Sequence, residues 1–142
     1  MDAIKGVARA ETGPMSVVLR AGVVVLTLLT AAIHASLGGF LFTMNAAVYV
    51  ALAVAMVLPA IAPFRWIARL ALIGFATATI GGWVLFGARF PLAYLDKAIE
   101  VVLLVFLAIE LWLFDGGPIG VGRRTRRLFA SVAATLVARG NR

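Results

Sequence analysis

Cysteine is absent from this chain, histidine occurs once, and acidic residues number only six in 142. The missing thiols exclude disulfides, thiolate chemistry and cysteine-held zinc or iron–sulfur centres within the chain. A single histidine, His34, is an incomplete set for zinc, copper or bis-histidine haem. One axial bond to a haem or a (bacterio)chlorophyll is the only cofactor role left to it. No other pigment or haem signature accompanies it, so neither cofactor nor metal is expected. Charge is scarce altogether: Asp, Glu, Lys and Arg form 13% of the chain, against about 25% in soluble domains.

What fills the space is hydrophobic. Apolar residues make up 63% of the chain and the mean hydropathy is +1.07. They fall into four runs, Val17–Gly38, Phe42–Ala62, Trp66–Phe86 and Tyr94–Phe114. Each reaches the roughly 20 residues that a helix needs to cross a hydrocarbon core of about 30 Å. The expected fold is all-α, a four-helix transmembrane bundle with short loops. An interfacial segment (1–16) precedes it and a basic amphipathic C-terminal helix (115–142) follows. The first run is longer than a secretory signal core, and no clean cleavage site follows it, so it is expected to remain as a helix.

The net charge of +7 follows topology rather than a nucleic-acid footprint. Arg123, Arg124, Arg126, Arg127, Arg139 and Arg142 come after the fourth run; Lys5, Arg9 and Arg20 precede or open the first; Arg65 and Arg69 surround the second turn. The first turn carries no charge, and the third only Arg89, with Lys97 just inside the next helix. The positive-inside rule then puts both termini in the cytoplasm. In the tail, Leu128, Phe129, Val132, Leu136 and Val137 recur at three- and four-residue intervals beside Arg123, Arg124, Arg126 and Arg127. That pattern predicts a helix lying on the lipid headgroups. No aromatic interleaving or nucleic-acid motif goes with the arginines.

Helix packing has its own pattern. Ala47, Ala51 and Ala55 in the second run and Gly74, Ala78 and Gly82 in the third share a four-residue spacing. Small residues so placed let helices approach closely in lipid, so both faces are expected to be buried. Pro59 and Pro63 should end or kink the second helix. Trp66, Trp83, Tyr94 and Trp112 lie near helix ends, where aromatic rings anchor at the membrane interface.

Ionisable residues inside a membrane helix are costly and need a partner or a purpose. With the amino terminus inside, His34, Thr43, Asn45, Asp96, Lys97 and Glu100 all gather toward the outer side. Asp96 and Glu100 share a helical face, and Lys97 reaches Glu100 at i,i+3. Three readings of this cluster remain open: an interhelical tether, a proton- or cation-responsive site in which His34 meets Glu100, and contact with a partner subunit. Asp96 also suits the start of the fourth helix as a cap. Glu110, at the inner end, is expected to pair with a tail arginine.

The stretch from His34 to Tyr49 (HASLGGFLFTMNAAVY) and the stretch from Pro91 to Leu103 (PLAYLDKAIEVVL) resemble a small uncharacterised four-helix membrane protein family of archaea and bacteria. In that family a histidine closes the first helix, an aromatic and Asn/Gly-containing stretch opens the second, and a Lys-x-x-Glu-like element opens the fourth. The resemblance implies the fold and its topology, in a prokaryotic cytoplasmic membrane, and no reaction. The chain therefore reads as a non-catalytic membrane subunit or scaffold, its partners being lipids and other membrane subunits or copies of itself. The alternative is a small oligomeric proton or cation channel or transporter using Glu100 and His34.

Overall fold

The computed structural model describes residues 13–140. Among them all regular structure is helical: α1 (Pro14–Leu37), α2 (Phe40–Val57), a 3₁₀ helix (Pro59–Phe64), α3 (Arg65–Phe86), α4 (Pro91–Asp115) and α5 (Gly117–Gly140). The expected interfacial stretch Asp2–Arg9 lies outside the described residues.

Three stretches are long and apolar enough to cross a membrane: α1, α2 and Pro59–Phe86. The fourth expected run falls within α4, which carries the polar residues noted in the sequence. That helix has 25 residues, but Asp96, Lys97, Glu100, Glu110 and Asp115 interrupt it. All five side chains are buried, so its charges face neighbouring helices, while Val101, Val105 and Ile109 face outward.

Local chemistry sets the helix ends. Proline opens both α1 and α4, where its missing N–H removes no helical bond. Gly38 and Gly39 take φ of 69° and 82°, a region that strains any residue with a Cβ, and they reverse the chain between α1 and α2. The helix α2 stops at Val57 rather than at Ala62. Pro59 has no N–H to continue the ladder, and the chain tightens into the 3₁₀ helix, which also contains Pro63.

α1 packs against α2 and α4, and α3 packs against α4 and α2; α5 adjoins α4. Four helices contribute to one core: Val23 and Ala31 from α1, Tyr49 and Met56 from α2, Ala68 and Leu72 from α3, Leu103 and Leu107 from α4. Close approach of α1 to α4 depends on Gly22, where an added Cβ would lie 2.6 Å from the Phe106 ring.

Within the chain, the rotation of α2 and α3 does not bury the small-residue stripes. Ala47, Ala51, Gly74, Ala78 and Gly82 are exposed and Ala55 is half-buried. The buried positions are instead Ala46, Tyr49, Ala53 and Met56 on α2, and Arg65, Trp66, Ala68, Arg69, Leu72 and Ala76 on α3. The cause is polar. Tyr49 and Arg69 both reach acidic side chains of α4, and an unpaired buried polar group costs more than imperfect small-residue packing gains. Once those two residues face inward, the alanine and glycine stripes face outward. Trp66 turns in with them and is 8% exposed, which corrects its reading as an interfacial anchor. Tyr94 and Trp112 are exposed near helix ends.

Candidate functional site

Where α1 ends and α4 begins, ionisable side chains converge. His34, Asp96 and Glu100 are at most 3% exposed, and Lys97 is 9% exposed. The Lys97 ammonium bridges both acids, 2.9 Å from Asp96 Oδ2 and 2.7 Å from Glu100 Oε2. The opposite oxygen of Glu100 accepts hydrogen bonds from the Tyr49 hydroxyl at 2.7 Å and the Thr79 hydroxyl at 2.8 Å. Thr30 donates to Asp96 Oδ1. Each of α1 to α4 therefore supplies a member: Thr30 and His34 from α1, Tyr49 from α2, Thr79 from α3, and the acid–lysine set from α4.

The His34 ring is held from one side. Its Nδ1 lies 2.9 Å from the Thr30 carbonyl, which can only accept, so Nδ1 carries a proton and donates it. Nδ1 also sits 3.6 Å from Asp96 Oδ1. The sequence-based pairing of His34 with Glu100 is thus replaced by a shorter approach to Asp96, with Thr30 between the two acids. The other nitrogen, Nε2, has no hydrogen-bond partner among the described residues.

His34, Asp96 and Lys97 line a cavity of about 430 Å³, within the size range of small-molecule pockets. Its remaining wall is mainly apolar and aromatic, including Phe42, Phe75, Trp83, Phe86 and Phe90. Asn45 lines it too but makes no hydrogen bond to the acids among the described residues. Ala78 and Gly82 belong to the same wall. At Gly82 an added Cβ would meet nothing within 4 Å, so these small residues open a space rather than close a helix contact.

Donor atoms of His34, Asp96 and Glu100 lie within 4.8 Å of one another, a spacing compatible with a metal ion. The Lys97 ammonium already sits on both carboxylates, so the cluster carries its own cation. Counted with both acids ionised and the imidazole neutral, two carboxylates face one ammonium, a formal excess of one negative charge.

A second buried network lies at the opposite end of α4. Arg69 donates to Glu110 through Nε at 2.8 Å and to Asp115 through Nη1 at 2.7 Å. Arg124 reaches the other oxygen of Asp115 at 2.7 Å. The expected bond between Glu110 and a tail arginine is corrected: Arg69 takes Glu110, because it is fully buried on the facing helix, and the tail pairs with Asp115 instead. Arg123, Arg126 and Arg127 are exposed on α5.

Between the two networks, Leu103 and Leu107 occupy the same buried face of α4, with Val23, Met56 and Leu72 closing around them. Ten residues of α4 separate Glu100 from Glu110, a rise of about 15 Å. No family model, curated protein or solved structure matches this chain, and functional inference rests on the site itself.

Sequence reasoning brought forward His34, Asp96, Lys97 and Glu100 and missed Thr30, Tyr49, Thr79 and Arg69. A signal was present for each. Thr30 precedes His34 by one helical turn, and hydroxyls in an apolar run need a partner. Arg69 lies a full turn inside its helix, too deep for a simple flanking charge.

Proposed function

We propose that this chain is a four-helix integral membrane protein, both termini cytoplasmic, that acts as a non-catalytic subunit holding a small, mostly apolar molecule at the outer end of its bundle. The observation that carries this reading is the aromatic-walled cavity of about 430 Å³ ending on buried His34, Asp96 and Lys97. A largely apolar pocket with a few convergent polar groups is the usual form of a small-molecule site.

Membrane placement is supported by the outward faces. Val18, Leu29, Val54, Ile67, Leu85 and Val105 are all exposed, a surface suited to lipid rather than water. The charges of α4 are turned inward and paired, as ionisable residues in membrane helices are. Its 25 residues span about 37 Å, enough for a fourth crossing. In the positive-inside orientation the cavity opens toward the outer leaflet, while Arg123, Arg126 and Arg127 lie where anionic headgroups would bind them.

Conduction by Glu100 and His34 has less support, because Leu103 and Leu107 separate the outer network from the inner one. A dead-end site, filled and emptied from one side, fits that arrangement better. Assembly with other subunits or a second copy is supported by Ala47, Ala51 and Gly74, which remain open for a neighbouring helix.

One titration tests both parts. Protein in nanodiscs, with Trp66→Phe and Trp112→Phe leaving Trp83 as the reporter, is titrated with phenylacetate, neopentylbenzene and benzyltrimethylammonium. At least one probe should change Trp83 fluorescence saturably at one per chain, and Ala78→Phe, which fills the cavity without adding a second tryptophan, should abolish the change. Saturation by none of the three, or a response indifferent to Ala78→Phe, rejects the binding reading. The mass of the extracted particle in mild detergent reports on assembly, and a lone monomer removes the subunit part.

A further inference from the structure

The charges of the outer network bear on what the cavity accepts: there Lys97 alone faces Asp96 and Glu100. Among the described residues no second fixed cation comes within ion-pair distance of them. Toward His34, α1 contributes Thr30, α2 contributes Tyr49 and Phe42, and α4 contributes Asp96, Lys97 and Glu100. On α3 the nearest polar group of the cluster is Thr79. Arg89, between α3 and α4, stacks its guanidinium 4.2 Å from the centre of the Trp83 ring and donates to the Val84 carbonyl. It is exposed at the mouth, where solvent screens its charge.

An uncompensated charge in a low-dielectric site is costly, so the outer network is completed by one further positive charge. Two positions are available for it. The first is His34 Nε2: the ring is 3% exposed, its other nitrogen is committed to Thr30, and histidine is the side chain whose ordinary charge change falls between pH 5 and 8. The second is the cavity, whose floor is the same histidine with Asp96 and Lys97. Its wall carries the aromatic side chains of Phe42, Phe75, Trp83, Phe86 and Phe90, and aromatic rings attract a desolvated cation to their faces. Positive charges in both positions would overfill the site, so each excludes the other.

We infer that the cavity takes an organic cation, a lipophilic amine or quaternary ammonium, in exchange for a proton held at His34. This rests on the cavity being a binding site and names what it selects. The exchange balances: the cation enters with its charge, Nε2 releases one proton to the outer solution, and the network keeps the same total charge.

The test uses the whole chain in nanodiscs with benzyltrimethylammonium and its uncharged carbon isostere, neopentylbenzene. Affinity for the cation should rise with pH, approaching about tenfold per pH unit where the free site is protonated, the limit for one linked proton. In weak buffer each cation bound should release protons on the acidic, rising limb of that affinity curve and none on its alkaline plateau. Neopentylbenzene should show neither effect and, on the alkaline plateau, should bind more weakly than the cation. His34→Gln should bind the cation with the alkaline affinity of the parent at every pH, whereas His34→Arg should lose cation binding throughout. Preference for phenylacetate or the neutral isostere, a pH-independent affinity of the unmodified chain for the cation, or binding without proton release overturns the inference while leaving a binding cavity intact.

Discussion

Replacing Arg69 with Met should lower stability by about 3–5 kcal/mol, the scale seen when one partner of a buried ion pair is removed. Arg69 is fully buried and donates to Glu110 and Asp115 at 2.8 and 2.7 Å. Arg124 still serves Asp115 in the variant, but Glu110 loses its partner, and its other oxygen already has none among the described residues. The damage should therefore concentrate on Glu110. Arg69→Met combined with Glu110→Leu should recover most of the loss, because an apolar pair of similar volume can replace a buried ion pair at little cost. Denaturant or thermal unfolding in detergent, arranged as a double-mutant cycle, measures this. A single-variant loss under about 0.5 kcal/mol, the scale of exposed ion pairs, would mean that the network is wet and the packing described for α3 and α4 is wrong.

The second large effect belongs to Lys97. Its ammonium bridges two carboxylates, and side-chain exposure at the Lys97–Glu100 pair is 11% and 0%. Lys97→Met leaves both acids buried with no fixed cation, and the loss at alkaline pH should again reach about 3–5 kcal/mol. It should shrink on acidification, since a proton taken up by the folded state replaces the missing charge; stability then falls as pH rises because the folded state binds more protons than the unfolded one. Unfolding of the variant and the parent at pH 5 and pH 9 gives the comparison. An equal deficit at both values would show that Lys97 contributes through packing of its stem and not through charge.

Much of the helical layout was legible from composition and run length, because helix length and proline placement are local properties. Helix rotation was not. The spacing of Ala47, Ala51 and Ala55 and of Gly74, Ala78 and Gly82 suggested tight faces, yet rotation is set by what buried polar groups must reach on another helix. Tyr49 has to meet Glu100, and Arg69 has to meet Glu110 and Asp115; no spacing within α2 or α3 alone contains those distances. The gathering of His34, Asp96, Lys97 and Glu100 could be read because antiparallel runs bring the end of one helix to the start of another. Which acid each base takes depended on a turn or less of register, so His34 meets Asp96 rather than Glu100 and the tail meets Asp115 rather than Glu110.

The proposal as a whole rests on one arrangement: four crossings, with the His34 end of the bundle outside and the Arg69 end inside. The chain has no native cysteine, so single cysteines can report it directly. Phe40→Cys at the start of α2 and Ala88→Cys between α3 and α4 lie at exposed positions of the His34 end; Phe64→Cys and Ser131→Cys lie at exposed positions toward the Arg69 end and on the tail. A membrane-impermeant maleimide added to intact cells should label the first two and reach the other two only after the membrane is opened. Labelling of Phe64→Cys or Ser131→Cys in intact cells, with Phe40→Cys and Ala88→Cys protected, would invert the orientation and contradict an outward-facing site.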